Sequence, residues 1–479
     1  MQWIILTVVS VAFALLMIFN KRIGENKMTL ILKVFSVVLF VLFFVRSFLN
    51  DNFVWVINGG VYGDVYYKTN DYLQSILRWG ILVAYVAYPC AIFFKSKFFK
   101  NLSVYFCLPF AILNLIFYNQ TMQYFITSSG RAIYAAPWLR HMEYSLELVL
   151  LILFPLLLRF ALKFKFDVKN KREWLTFFIF LPIVLIICIP VTVPQSILGF
   201  TKKYMIPFTT PHFLWIAVIL FLFASIYFIF RFKDRDTRFC VCTFLTLYLF
   251  LHYNQIYLMD LNMKRLPFQL CNLGAYLILI AIIIRKQSFF DFVMLANVPG
   301  AMIAFLVPDI KEGMLSYWNI HFYIEHTWVF LIPLLLVALR IFERPTKRSI
   351  KSFFVGFSIY FVFCAMAGIF ANCVLYKPFD EFFNRVNYFY LFDDTVVNAL
   401  SFLAFTRKWS IVWNGYRFYP IYMLMVFALF SVVCLGFLYV YAKLCKVGDN
   451  HFTLRKYRIE MRKAQGRYKN YNPKVEYED

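Results

Sequence analysis

A thiol at position 271 and an imidazole at position 326 are the groups in this chain best placed for covalent chemistry. Pro267 fits a first helical position, where a missing N–H costs nothing, so Cys271 falls near the positive end of a helix dipole. A thiolate is favoured there, and the thiolate is the nucleophile. His326 opens another apolar run in the same way, and the same dipole favours its neutral, basic form. Such a pair would attack a carbonyl carbon and hand the proton to the leaving group. Free N–H groups at the two helix starts would hold an oxyanion. Asp309, after Pro308, is the third candidate catalytic group, orienting the imidazole, a role open also to His252. His212, His252, Asn272 and Gln269 are the candidate substrate-binding groups. Taken singly, each has an ordinary account: a histidine caps a helix, a cysteine packs, a Pro-Asp pair stops a helix. Taken together, His212, His252, Cys271, Asp309 and His326 come from five successive apolar runs and share one depth.

That depth depends on the elements that carry them. Of 479 residues, 62% are hydrophobic and only 15% charged, with 60 Phe, 32 Tyr and 10 Trp. Soluble domains run nearer half apolar and a quarter charged, so the expected fold class is an all-α polytopic membrane protein. Disorder, a collagen-like fibre and a secreted disulfide scaffold are excluded. Taking roughly 20 apolar residues per span, about thirteen transmembrane helices are expected. They lie near 2–20, 29–49, 74–94, 102–118, 143–163, 174–193, 211–231, 239–259, 267–284, 289–308, 326–342, 352–376 and 418–442. The first has no basic flank and no cleavage site, so it reads as a retained helix.

The net charge of +24 sits between these runs, which removes the nucleic-acid reading. One set of alternate connections is the richer in Lys and Arg. It includes Lys95, Lys97 and Lys100, then Lys163, Lys165 and Lys169, then Arg285 and Lys286, then Arg340 and Arg344. Positive charge marks the cytoplasmic side, so the N-terminus is expected outside and the C-terminus in the cytoplasm. The five candidate groups then share the outer-leaflet interface. The basic tail, with Arg455, Lys456, Arg458, Arg462 and Lys463, suits anionic lipid at roughly 1 kcal/mol per residue.

The stretch Leu266-Pro267-Phe268-Gln269-Leu270-Cys271-Asn272-Leu273 is followed by Pro299-Gly300-Ala301, Val307-Pro308-Asp309 and His326. With Pro211-His212-Phe213-Leu214, Asn387-Tyr388-Phe389-Tyr390-Leu391 and Tyr419-Pro420-Ile421-Tyr422, it resembles the YwaF-type bacterial integral membrane family, related to the animal transmembrane protein 164 family. The likeness covers about 210–443. It implies, from the animal branch, an acyltransferase-like activity on membrane phospholipids with a Cys nucleophile at Cys271 and a downstream His at His326, and residence in the bacterial plasma membrane. Gln269 departs from the family pattern, where a histidine two places before the cysteine is common. The chain therefore divides into an N-terminal six-helix region (1–209), a seven-helix module (210–443) and a basic cytoplasmic tail (444–479). Aligning Gly80 with Gly274 makes the first region a degenerate copy of the second, with Leu77 in the place of Cys271.

No Walker A loop, dinucleotide fingerprint, His-Glu-x-x-His or Cys-x-x-Cys occurs, so no cofactor and no metal are expected. Membrane phospholipids are the expected partners, and the sequence leaves the oligomeric state open. Three functions stand: a Cys/His acyltransferase or lipid hydrolase, a transporter or lipid translocator using the same polar groups for binding, and a non-catalytic membrane component.

Overall fold

Gly24 decides the shape of the first element. A straight helix over Gln2–Leu49 (α1) would be about 72 Å long, far more than a bilayer needs, but Gly24 leaves helical geometry at φ 71°. The two arms fold back. In the first, Phe13 meets Phe160 edge-on at 5.8 Å and the Asn20 side chain donates to the Ala161 carbonyl at 3.3 Å. In the second, Phe43 meets Tyr85 at 4.9 Å, and the Lys33 ammonium lies 5.4 Å from the Phe93 ring. The computed structural model describes residues 1–49, 69–121, 137–167, 169–190, 206–255, 262–306, 317–378 and 382–464.

Further helices are α2 (Thr69–Phe93), α3 (Lys97–Ile116, with a π-helical stretch at Ser103–Cys107), α4 (Pro137–Phe160) and α5 (Lys171–Ile187). Then come α6 (Thr210–Phe230), α7 (Arg235–Asn254), α8 (Leu270–Ile284), α9 (Gln287–Leu306) and α10 (Tyr317–Ala338). The chain continues through α11 (Ser349–Leu375), the short α12 (Thr395–Ala399) and α13 (Pro420–Ala464). Each of the thirteen apolar runs overlaps a helix among the described residues. Among the described residues nine helices are long and apolar enough to cross a membrane. That is fewer than the runs because α1 carries two of them and α5 and α8 are short. In addition, α7 holds Arg238, His252 and Asn254 within its 20 residues. Large apolar side chains form an outward stripe along α11: Val355, Ile359, Val362, Met366, Phe370 and Val374 are all exposed. Water would reject such a stripe; lipid accepts it. The fold is an all-α polytopic membrane architecture.

Close contacts divide the chain into two compact units. One joins Met1–His212 to Thr243–Leu261 and Asp309–Glu325. The other joins Phe213–Cys242, Asn262–Pro308 and His326–Asp479. In the first, Tyr88 stacks on Phe154 at 4.2 Å and donates its hydroxyl to the Leu151 carbonyl at 2.8 Å. In the second, α9 lies against α11, with Phe292 over Gly356, and Phe357 stacks on Phe427 at 4.9 Å.

Between α11 and α13 the chain does not stay outside the helices. Phe389 packs 5.6 Å from Phe357, 5.4 Å from Tyr360 and 5.3 Å from Phe430, well within both spans. Phe392 lies on Gly368, two turns before the end of α11. Beyond it, Ile411–Trp413 (β1) pairs with Tyr416–Phe418 (β2) around Asn414 and Gly415 at φ 47° and 73°, the backbone of a type I′ turn. Asn414 donates to the Cys373 carbonyl at 3.0 Å. A Cβ at Gly368 would lie 2.0 Å from Cε2 of Phe392. Gly368→Val should therefore displace this segment and cost about 1–3 kcal/mol, read as a lowered unfolding temperature of the detergent-solubilised protein.

Candidate functional site

Helix α8 is short at the end that carries the thiol. Its 15 residues extend about 22 Å, less than a hydrocarbon core of about 30 Å. The four residues before it, Leu266 to Gln269, are not helical, so neighbouring protein groups must satisfy their backbone. The Phe268 carbonyl accepts from the Tyr360 hydroxyl at 2.9 Å and from the Cys364 thiol at 3.3 Å. Gln269, the N-cap residue, donates its amide to the Asn387 carbonyl at 2.6 Å and accepts from the Phe389 N–H at 3.0 Å. Tyr388 donates to the Met263 carbonyl at 2.6 Å. On the far side, the Asn372 side chain clamps Val386 with two bonds, 2.9 Å to its carbonyl and 2.7 Å from its N–H. The sequence places Gln269 among substrate-binding groups; in the structure its amide holds the 387–389 backbone over the helix start.

Cys271 lies in the first turn of α8, where Leu270, Cys271 and Asn272 have N–H groups without intrahelical acceptors. Its thiol donates to the Asn272 side-chain oxygen at 3.3 Å. Of the ten cysteines, eight are buried and only Cys271 and Cys445 are partly open. One turn inward, Gly274 lets two helices come close: a Cβ there would be 3.0 Å from Val329 Cγ1 and 3.4 Å from Asn297 Cγ. Val329 lies one turn inward of His326 on α10, just as Gly274 lies one turn inward of Cys271 on α8. The contact therefore sets Cys271 and His326 at the same level on neighbouring helices. Counted from Ile284, Cys271 is about 20 Å from the far end of its helix, and the Phe268 carbonyl just before that helix is held by Tyr360 and Cys364.

His326 is buried and meets the Phe305 ring edge-on at 6.3 Å; its neighbour Thr327 accepts from the Trp215 indole at 3.2 Å. Asn297 is 0% exposed, and neither its amide nitrogen nor its oxygen has a partner among the described residues. Each such orphaned group costs about 1–3 kcal/mol, which structure alone does not repay. The sequence reading passed over Asn297. An amide in an apolar run, two residues before Pro299, was the available signal.

These geometries accompany a likeness to known sequences. Residues 207–439 match the TMEM164 family. The TMEM164 match covers just under half of the 479 residues and bears out the relationship read from Leu266–Leu273 and its companions. No curated protein and no solved structure matches the chain. The match and the apolar helices together make this a multi-pass membrane protein.

The remaining expected residues fall elsewhere. His212 accepts the Phe208 N–H at 3.0 Å and so caps the turn that starts α6. His252, in the first unit, stacks on His321 at 4.8 Å, a histidine that sequence reasoning missed although it stands four residues before Glu325 on one helix face. Asp309 lies outside the described residues. A small bilayer-permeant maleimide applied to the folded protein should modify Cys271 and Cys445 and spare the eight buried thiols. Peptide mass spectrometry of the labelled protein reads the outcome, and silence at Cys271 would contradict its partial exposure.

Proposed function

We propose that this protein is a lipid-acting enzyme of the bacterial plasma membrane, of YwaF type, that transfers or hydrolyses a phospholipid acyl chain through Cys271. The observation that carries the reading is the level pairing of Cys271 and His326 across the Gly274–Val329 contact, with the thiol partly open. His326 takes the proton from Sγ, and the thiolate attacks the ester carbonyl carbon. The resulting oxyanion faces the N–H groups of the α8 first turn, which have no intrahelical acceptor, with Asn297 as a further amide donor. The carbon–oxygen bond to the glycerol breaks, and His326 returns its proton to that oxygen, leaving an acyl thioester on Cys271 and a lysolipid. A second alcohol, or water, then attacks the thioester with His326 again as base.

Two features support a lipid substrate. Phospholipid ester bonds lie at the edge of the hydrocarbon, within reach of a partly open thiol in a membrane protein, and the exposed apolar stripe along α11 suits a lipid-facing surface. The basic tail, helical through Ala464, is assigned contact with anionic headgroups.

The test is a nanodisc assay with phospholipid labelled in one acyl chain. Cys271→Ala should abolish acyl release and transfer, and wild type quenched in mid-reaction should carry the labelled chain on the Cys271 peptide. His326→Gln should slow turnover about 10²–10⁴-fold. Full activity in both variants would leave the thiol without a catalytic part. Asn297→Leu separates its two roles: turnover should fall about 10²–10³-fold while thermal stability is kept or raised, since an orphaned amide is removed. Loss of stability with unchanged turnover would make Asn297 a packing residue.

A further inference from the structure

The first unit holds a second group of ionisable side chains, on α7 and the N-terminal part of α10, that the proposed lipid chemistry does not use. His252 and His321 stack with ring centroids 4.8 Å apart and planes 22° from parallel. Both are buried, as is Glu325. Each imidazole reaches across to the other helix: His252 Nε2 lies 3.3 Å from the His321 carbonyl oxygen, and His321 Nε2 lies 3.3 Å from the Tyr253 carbonyl oxygen. A carbonyl oxygen only accepts. Both Nε2 atoms must therefore carry hydrogen, and in a neutral ring that leaves each Nδ1 bare.

The bare atoms meet different neighbours. His252 Nδ1 is 3.4 Å from the Tyr248 hydroxyl, a group that can donate. His321 Nδ1 is 3.7 Å from Glu325 Oε2, and an ionised carboxylate can only accept. Two acceptors set face to face in a buried place repel unless a proton lies between them. Glu325 Oε1 adds to the case, having no hydrogen-bond partner among the described residues, an arrangement that a bare carboxylate in hydrocarbon does not tolerate.

We infer that His321 and Glu325 form an intramembrane proton-binding site that holds one proton, on the imidazole or on the carboxyl. The ligand is the proton itself, and the groups facing the pair from α7 are His252, Tyr248 and Tyr253. His252 limits the site to a single charge, since two imidazolium rings stacked this closely repel. The single Tyr248 hydroxyl hydrogen goes to one of two acceptors, His252 Nδ1 at 3.4 Å or the Ile189 carbonyl at 3.3 Å. The inference is independent of Cys271, which belongs to the other unit.

The experiment uses the full chain in nanodiscs at neutral pH. Infrared spectra should show a carboxylic-acid C=O band that shifts in heavy water and disappears in Glu325→Gln. If the proton rests on the ring instead, nuclear magnetic resonance of nitrogen-labelled histidine should show His321 with both ring nitrogens protonated, a signal lost in His321→Gln. Either signal supports the site. Should a variant fail to fold, the dipolar contact between labelled Glu carboxyl carbon and labelled His ring nitrogen assigns the wild-type spectrum alone. An ionised Glu325 beside a neutral His321 would overturn the assignment. Absence of acyl transfer in the wild-type protein, with either signal present, would count against the proposed enzyme and not against this site.

Discussion

Hydrocarbon offers no hydrogen bonds, so every backbone group at membrane depth must find a protein partner; α8 is organised by that requirement. A helix of 15 residues ends short, and the polar groups at its start would be stranded. The answer in this fold is a returning segment. Gln269 binds Asn387 and Phe389, Phe268 receives Tyr360 and Cys364, and Asn372 holds Val386. Without that segment a helix start could not lie inside the bundle, and neither could a thiol on its first turn.

The returning segment is held in turn by its own strain and packing. Phe389 and Tyr390 take φ values of 51° and 56°, a left-handed conformation that costs roughly 1–2 kcal/mol per non-glycine residue. What offsets this is burial: Phe389 fits among Phe357, Tyr360 and Phe430, and the Tyr390 carbonyl accepts from the Tyr422 hydroxyl at 2.8 Å. Arg407 ties the following stretch to α13 by lying over the rings of Tyr419 and Tyr422, 4.6 and 4.9 Å away. Aromatic density here is therefore positional, and not merely a lipid-facing composition.

Basic residues show the same balance at the helix ends. Lys95, Lys163, Arg285 and Arg340 all have φ between 51° and 56°, just past the ends of α2, α4, α8 and α10, where glycine is the usual occupant. A cation there interacts favourably with the negative end of the helix dipole. All four come from the connections richer in Lys and Arg. The strain is accepted where a charged side chain meets the negative end of a helix.

Local signals explain what could be read from the sequence. Long apolar runs have one solution in a bilayer, so each fell on a helix, and Pro267 before Cys271 marked a helix start that the structure keeps in shifted form. Non-local contacts explain what could not. The aromatic stretch around Asn387 could be read only as part of a family likeness, because nothing in Tyr388-Phe389-Tyr390 announces that its partners are Phe357 and Phe430, separated from it by about 30 to 40 residues. His321 stayed hidden for a related reason. Its meaning comes from the Tyr253 carbonyl and the His252 ring on another helix, and a lone histidine in an apolar run carries no trace of that pairing. The same holds for Asn297, whose importance is a missing partner, a property that exists only after folding. Sequence thus locates the groups able to do chemistry, while the distance between helices decides which of them can act together.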